Sequence, residues 1–204
     1  MRILLFDYDG TIVDSTKAVH DAFNKATEKY KLKPAVNYDD FIKLYDKNVY
    51  ESIVGRGLPR SKLREFFDEW RRPLLIPNGK VKLFKGMKEV IDGLSKSNYI
   101  IIITSNSKKA IEISLERFKL NGIREIIGGE EEMSKVAKIE KIKRRFLNNE
   151  IYYVGDTKGD MLEAKKAGVK SIGVSWGVHS REHLKEANPD FIASKPEDLL
   201  NILS

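Results

Sequence analysis

The chain contains no cysteine. That absence excludes disulfide staples and thiolate metal sites, and it points to a reducing compartment, the cytoplasm. Long apolar runs are missing too. The densest, Tyr99-Ile100-Ile101-Ile102-Ile103, stops at Thr104, well short of the roughly 20 residues that cross a bilayer, so no membrane partner is expected. The first residues hold no separate basic and apolar signal region, because the opening apolar stretch is interrupted by Asp7 and Asp9. Histidine is scarce: His20, His179 and His183 have no ligand-like spacing among themselves and read as incidental.

What is present is the composition of a globular protein. The 204 residues are 41% apolar and 33% charged, which is enough for one good core and a smaller accessory unit. The net charge is +7, yet Lys and Arg alternate with acids, as in Glu112, Glu116, Arg117 and Lys119. That pattern reads as solvated helix faces and not as a nucleic-acid surface; a positive excess can still draw in small anionic substrates. Nothing in the sequence bears on oligomeric state.

Strand patterns recur at Arg2–Phe6, Tyr99–Ile103, Ile123–Ile127, Ile151–Val154 and Ser171–Val174, with a shorter one at Asp190–Ala193. Helical stripes lie between them: Met87, Val90, Ile91 and Leu94; Ala110, Ile111, Leu115 and Phe118 behind a Ser107 cap; Val136, Ile139, Ile142 and Phe146; and a short helix that Gly168 could end. Alternating strands and helices imply an α/β fold, a doubly wound, mostly parallel Rossmann-like sheet. Residues 15–85 break the alternation. Ala18 to Tyr30, Phe41 to Ile53 and Leu63 to Trp70 show helical stripes with no convincing strand, so this stretch reads as a small helical insertion, with Phe66, Phe67 and Trp70 in its core. Residues 1–14 and 86–204 form the α/β core, and Pro73–Lys85 serves as the return linker.

The chemistry begins at Asp7-Tyr8-Asp9-Gly10-Thr11, directly after the apolar run Ile3-Leu4-Leu5-Phe6. In open parallel sheets ligands sit at the C-terminal strand edge, and two acids buried there need a cation or a shared proton. Thr104-Ser105-Asn106 follows a second strand pattern, and Gly155-Asp156-Thr157-Lys158-Gly159-Asp160 follows another. These residues suit phosphoryl transfer. Asp7 and Asp156 offer hard oxygen ligands for Mg²⁺, and a carboxylate beside such an ion can attack phosphorus. Asp9, two residues on, can give and take the leaving-group proton. Thr104, with Ser105 and Asn106, can meet phosphoryl oxygens, and a lysine near a helix start can neutralise them. Asp160 is either linked to the metal or caps the following helix, and Lys158 reads as solvent-facing.

With these motifs the chain resembles the haloacid dehalogenase superfamily, in its phosphoglycolate-phosphatase-like branch. Asp7 to Thr11 matches the first family motif, Ile100 to Thr104 the second, and Gly155 to Asp160 the fourth. The third departs from pattern: Met133-Ser134-Lys135-Val136-Ala137-Lys138 offers two lysines, of which Lys135 is nearer the helix start and is favoured over Lys138. The resemblance implies an Mg²⁺-dependent phosphatase of a small phosphorylated metabolite, phosphoglycolate by default, working through an aspartyl-phosphate on Asp7. It implies a metal held by Asp7, the Asp9 backbone carbonyl, Asp156 and Asp160, and a phosphate held by Thr104, Ser105, Asn106 and Lys135. The helical insertion resembles the family's cap, and relatives that dehalogenate lack an acid at the Asp9 position. Within it, Gly55-Arg56-Gly57-Leu58-Pro59-Arg60 is either a turn in water or a substrate contact through Arg56 and Arg60. The alternatives are a phosphosugar mutase of the β-phosphoglucomutase type, or a non-catalytic binding protein on the same fold.

Overall fold

The computed structural model describes residues 1–35, 37–72 and 81–203. The first strand, β1 (Ile3–Phe6), is buried at every position and lies inside a six-stranded sheet. On one side stand β4 (Tyr99–Ile103) and then β5 (Ile123–Ile127); on the other stand β6 (Ile151–Gly155), β7 (Lys170–Val174) and β8 (Phe191–Ala193). Every pairing in this sheet is parallel. The continuous apolar character of β1 and β4 follows, since both faces of a parallel sheet are covered by helices.

The period of two along β1 assigns its side chains to opposite layers. Leu4 and Phe6 join a cluster with Ile100, Ile102 and Met87, Val90, Ile91 and Leu94 of α5 (Met87–Leu94), with Ile111 of α6 (Lys108–Phe118) and Leu199 and Leu203 of α10 (Asp198–Leu203). Ile3 and Leu5 join the opposite cluster with Ile101, Ile103, Ile139 and Ile142 of α7 (Lys135–Arg145) and Ala164 and Ala167 of α8 (Lys158–Ala167). A shorter α9 (Arg181–Lys185) lies between β7 and β8. The expected caps are in place: the Ser107 hydroxyl accepts from Ala110 N–H at 3.2 Å, and Gly168 ends α8 at φ 66°.

From β1 the chain runs outward to β4 and β5, then returns to β6 and runs outward the other way. The crevice where the winding reverses therefore lies between the ends of β1 and β6. Asp7 and Asp156 are the residues that follow those two strands.

The helical stretch leaves and re-enters through a pair of two-residue strands that the periodicity could not reveal, β2 (Val13–Asp14) antiparallel to β3 (Lys82–Leu83). Between them lie α1 (Thr16–Lys29), α2 (Tyr38–Ile42), α3 (Val49–Gly55) and α4 (Leu63–Arg71). Phe23, Phe41, Ile53, Phe66, Phe67 and Trp70 form a separate apolar cluster there, and the Trp70 indole N–H donates to the Val19 carbonyl at 2.9 Å. The stripe Phe41, Leu44, Tyr45, Val49, Ile53 is not one helix. A 3₁₀ turn at Lys43–Tyr45 follows α2, and α3 starts afresh at Asn48, whose side-chain oxygen accepts from Tyr50 N–H at 3.0 Å. Most of the return linker read from sequence, residues 73–80, lies outside the described residues. No helix among the described residues is long and apolar enough to cross a membrane.

Candidate active site

Asp7 continues the ladder past the end of β1: its N–H donates to the Val154 carbonyl at 2.8 Å, and its Oδ1 accepts from Tyr8 N–H at 2.8 Å. The chain then turns sharply at Gly10, with φ 76°. A β-carbon there would be strained at that φ and would also fall 2.1 Å from Asp156 Oδ2, so only glycine lets the two strand-end loops meet. The turn brings Asp9 into the same cleft, where Ser15 Oγ donates to its Oδ1 at 2.7 Å and Asn106 Nδ2 to its Oδ2 at 3.4 Å. Asp156 is fully buried and accepts from Thr11 Oγ1 at 3.1 Å and from Val178 N–H at 2.8 Å.

At the end of β4 the Thr104 hydroxyl accepts from Asn106 N–H at 2.9 Å, which leaves its own proton free to donate. Ser105 and Asn106 line the cleft beside it. From the first turn of α7, Lys135 Nζ reaches Asp7 Oδ2 at 2.8 Å and Asp160 Oδ1 at 2.5 Å. Lys138, one turn on, is buried and donates to the Thr104 carbonyl at 2.7 Å. Of the two lysines left open by sequence, Lys135 meets the acids and Lys138 braces the strand end.

Of the two jobs between which sequence could not choose, the cap of the following helix is in place at Asp160. It is the acidic partner in a capping box, taking Thr157 N–H at 3.1 Å and Thr157 Oγ1 at 2.6 Å on Oδ2. Its Oδ1 takes Lys135 and, at 3.2 Å, the Tyr153 hydroxyl. Asp7, Asp156 and Asp160 also bring carboxylate oxygens within 4.8 Å of one another. Lys158 is not simply solvent-facing, since its ammonium pairs with Glu186 at 2.6 Å.

The electrostatics follow from packing acids together away from water. Burial pushes the Asp7 carboxyl up to about 7, against the downward pull of Lys135. Burial also raises Asp9, against its Ser15 and Asn106 hydrogen bonds, and raises Asp156 strongly, helped by the charges of Asp160 and Asp7. Asp160 is equally buried, but Lys135 and the Thr157 hydrogen bonds outweigh that and hold it below the usual carboxylate value. Burial lowers Lys138 to about 7, with the Lys135 charge adding to the effect. Three buried carboxylates facing one ammonium form an under-neutralised set of hard oxygen donors, which fits a divalent cation such as Mg²⁺.

Two arginines of the insertion singled out by sequence are not brought to this cleft. Arg60 pairs with Glu51 at 2.6 Å on an exposed surface. Arg56 pairs with Asp40 at 2.8 Å and lines a separate hollow with Lys33, Lys43 and Ser52. The insertion instead contributes Val19, Phe41, Tyr45, Phe67, Trp70 and Arg71 to the cleft wall. Phe67 and Trp70 are therefore core residues of the insertion that also face the cleft.

The histidines are a second correction. His179 is buried and stacks on His183, with ring centroids 4.2 Å apart. Its Nδ1 accepts from Lys158 N–H at 2.8 Å, which puts the proton on Nε2, and Nε2 donates to the Ile42 carbonyl at 3.1 Å. His183 Nε2 lies 2.7 Å from Asp46 Oδ1. These contacts seat the corner between α2 and α3 on the core, beside Gly159, where a β-carbon would strike the Tyr45 and Lys47 carbonyls at 2.8 and 2.5 Å. The four-residue spacing of the two histidines was the available signal. It was obscured because Ser180 starts α9 between them. Arg71 had no signal at all, because a basic residue at a helix C-terminus is ordinary.

A model of the family described as haloacid dehalogenase-like hydrolase matches residues 4–174. The chain belongs to that family. The matched span of this haloacid dehalogenase-like hydrolase contains every strand-end residue of the cleft from Asp7 through Asp160. The chain is 27% identical over 208 residues to a phosphoglycolate phosphatase of Synechococcus elongatus, with 100% of this chain and 98% of that protein covered. It is 26% identical over 224 residues to the pyrophosphatase PpaX of Bacillus cereus, with 100% and 98% covered. Among solved structures, a haloacid dehalogenase-like family hydrolase from Streptococcus pneumoniae superposes with a TM-score of 0.79 at 22% identity, over 100% of this chain and 99% of that one. That likeness is one of fold, and it agrees with the doubly wound sheet. Membership of the family makes the chain an enzyme.

Proposed function

We propose that the chain is an Mg²⁺-dependent phosphomonoesterase acting on a small phosphorylated metabolite, with Asp7 as nucleophile. The observation that carries this reading is the strand-end pair: Asp7 held by Lys135 at 2.8 Å and Asp9, two residues on, held by Ser15 at 2.7 Å at the mouth of the same cleft. The names of the relatives, phosphoglycolate phosphatase and pyrophosphatase, support the reaction class and make phosphoglycolate the first substrate to try.

In this reading an Asp7 carboxylate oxygen attacks phosphorus and the ester bond to the leaving oxygen breaks. Asp9, whose carboxyl is raised by burial, gives that oxygen its proton. The same Asp9 then takes a proton from water as the water attacks the aspartyl-phosphate, returning Asp7 and inorganic phosphate. Lys135 and the hydroxyl of Thr104, with Ser105 and Asn106, bind the phosphoryl oxygens. Asp7, Asp156 and the Asp9 carbonyl would hold Mg²⁺, which supplies positive charge beside the phosphoryl group. Both Asp160 carboxylate oxygens are occupied by Thr157, Lys135 and Tyr153, so this residue acts mainly by fixing Lys135. The insertion is the cap that covers the substrate and excludes water. The absence of cysteine agrees with work in the cytoplasm.

The test is release of inorganic phosphate from a panel of metabolite phosphates with Mg²⁺, with Asp7→Asn as control. Asp7→Asn should lower turnover by about 10³-fold or more. Equal release by wild type and Asp7→Asn would overturn the reading.

A further inference from the structure

Side chains tie the insertion to the core at the corner between α2 and α3, residues 42–48. Three core residues reach it. His179 Nε2 donates to the Ile42 carbonyl at 3.1 Å, His183 Nε2 lies 2.7 Å from Asp46 Oδ1, and Glu163 Oε1 accepts from Asn48 Nδ2 at 2.6 Å. Gly159, on α8 between these contacts, leaves room for the Tyr45 and Lys47 carbonyls. On the α4 side the side-chain hydrogen bond to the core is longer, 3.4 Å from the exposed Arg64 to the Glu130 carbonyl. The attachment is therefore one-sided, and it lies along α8 and α9.

Asp46, His179 and His183 bring their ligand atoms within 4.8 Å of one another. They do not make a metal site, because His179 Nδ1 accepts the Lys158 N–H at 2.8 Å and its Nε2 therefore carries the proton. The trio is a docking contact. Asn48 and Glu163 form the more directional one. Asn48 Oδ1 caps α3, accepting from Tyr50 N–H at 3.0 Å and Glu51 N–H at 3.4 Å, so its Nδ2 is left to donate to the core. The insertion supplies the donor and the core the acceptor. Glu163 stands one helical turn after Asp160 on α8, lines the cleft, and takes no other side-chain hydrogen bond among the described residues. A half-buried carboxylate that loses its donor is destabilised, which favours the docked corner. That corner also carries Tyr45 into the cleft wall. There burial first, and then the charges of Asp9, Asp156 and Asp7, push the Tyr45 phenol well above its usual value. The docked corner thus faces the acids of the cleft.

We infer that Glu163 is a positioning residue of the reaction: through Asn48 it seats the 42–48 corner of the insertion on the core, with His183 and Asp46 as a second point. Its part is not chemical. It sets the fraction of the protein that stands docked and ready before substrate arrives, and substrate binding must supply whatever docking energy this contact does not. The kinetic consequence rests on the phosphatase reading above; the contact itself does not.

The test exchanges donor and acceptor. Asn48→Asp keeps the cap of α3 but turns a carboxylate toward Glu163. It should raise KM for phosphoglycolate, or for whichever panel phosphate is turned over best, by about 5- to 50-fold, with kcat within about threefold of wild type. The double variant Asn48→Asp with Glu163→Gln puts the amide on the core and the carboxylate on the insertion. It should bring KM back to within about threefold of wild type. Glu163→Gln alone keeps an acceptor for Asn48 Nδ2 and should raise KM less than Asn48→Asp does. Amide hydrogen exchange without substrate reads the same contact: the 42–48 corner should exchange faster in Asn48→Asp, β1 should not change, and the double variant should regain the lost protection. Three results overturn the assignment: KM and exchange unchanged in Asn48→Asp, a double variant no better than Asn48→Asp, or a loss in kcat at unchanged KM, which would give Glu163 a part in the chemistry. Circular dichroism melts establish that the variants are folded. Glu163→Ala, which leaves the insertion's own sequence intact and should raise KM in the same way, carries the comparison if Asn48→Asp is not. Failure of the phosphatase reading looks different: wild type then releases no phosphate from any compound, or Asp7→Asn matches it, while the exchange pattern still decides the contact.

Discussion

The two walls of the cleft are built in opposite ways. On the core wall nearly every polar group has partners inside the protein: Asp9 is held by Ser15 and Asn106, Asp156 by Thr11 and Val178, Asp160 by Thr157, Tyr153 and Lys135. On the insertion wall Val19, Phe41, Phe67 and Trp70 bring apolar surface, and Arg71 pairs with no carboxylate among the described residues. Preorganised polar groups suit a reaction centre, where charge develops at fixed points. An apolar wall suits recognition. The difference separates the chemistry from the choice of substrate, and each prediction below strains one wall while leaving the other in place.

The largest effect belongs to the core wall. Lys135→Ala leaves Asp7 and Asp160 buried together without their ammonium, and kcat should fall by about 10²- to 10³-fold. Lys138→Met keeps the stem length and removes a buried cation, but leaves the Thr104 carbonyl without its donor. It should lose activity far less, within about tenfold, because the group it contacts is backbone and not an acid. Steady-state kinetics of the two variants decide the matter, and a larger loss in Lys138→Met would exchange their roles.

On the insertion wall the corresponding large change is structural. Phe66 is fully buried and meets Phe23, Tyr30, Phe67 and Trp70. Phe66→Ala should destabilise the insertion by about 3–5 kcal/mol, read as a lower first transition in thermal or urea unfolding. The β1-centred sheet shares no residue with that cluster and should keep its own hydrogen-exchange protection. Loss of protection in β1 and β4 to the same degree would show the two regions to be one cooperative unit.

The walls also differ in how far the sequence disclosed them. The strand-end acids were legible because a buried parallel strand is a continuous apolar run and the residue after it sits at the sheet edge. Asp7, Thr104 and Asp156 each follow such a run. Lys135 was recoverable to within one turn, since Ser134 caps the helix and brings the next residue toward the crevice. The insertion wall follows no comparable rule. Its helices pack by shape, so a stripe from Phe41 to Ile53 looked continuous although Asn48 breaks it. Arg56 and Arg60 were suggestive as residue types, yet Asp40 and Glu51 claim them. Arg71 reaches the cleft because Gly129, 58 positions away in the chain, leaves room for it. Contacts of that range are set by tertiary packing and have no local signature.

Metal and pH supply a test of intermediate size. Burial pushes Asp7 up to about 7 from 3.8 in an unfolded chain. Across that window the folded, metal-free protein holds a proton that the unfolded chain has released. Stability without metal should therefore fall as pH rises from 3.8 toward about 7. Asp9 and Asp156 act in the same sense; Asp160, shifted downward, acts below this window. In chelator, Asp7→Asn should flatten the slope and raise Tm at neutral pH by about 3 °C or more. Adding Mg²⁺ should stabilise wild type more than Asp7→Asn. A wild-type Tm that climbs through this window in chelator would contradict the burial argument.

The smallest expected effect returns to the insertion and separates two of its arginines, Arg60 in the turn after α3 and Arg71 at the end of α4. Arg60 and Glu51 form a bidentate pair, but their side chains are 67% and 54% exposed, so water screens the pair and supplies equivalent partners when it is broken. Arg71 is half-buried, lies over Phe67 and touches the loop behind Thr104. Arg60→Ala should leave Tm and kcat/KM for phosphoglycolate within experimental scatter, under the conditions in which Arg71→Ala lowers kcat/KM. A shift of kcat/KM in Arg60→Ala would mean that the exposed face of α3 and the turn after it close over the substrate, and the recognition wall would then extend beyond Arg71.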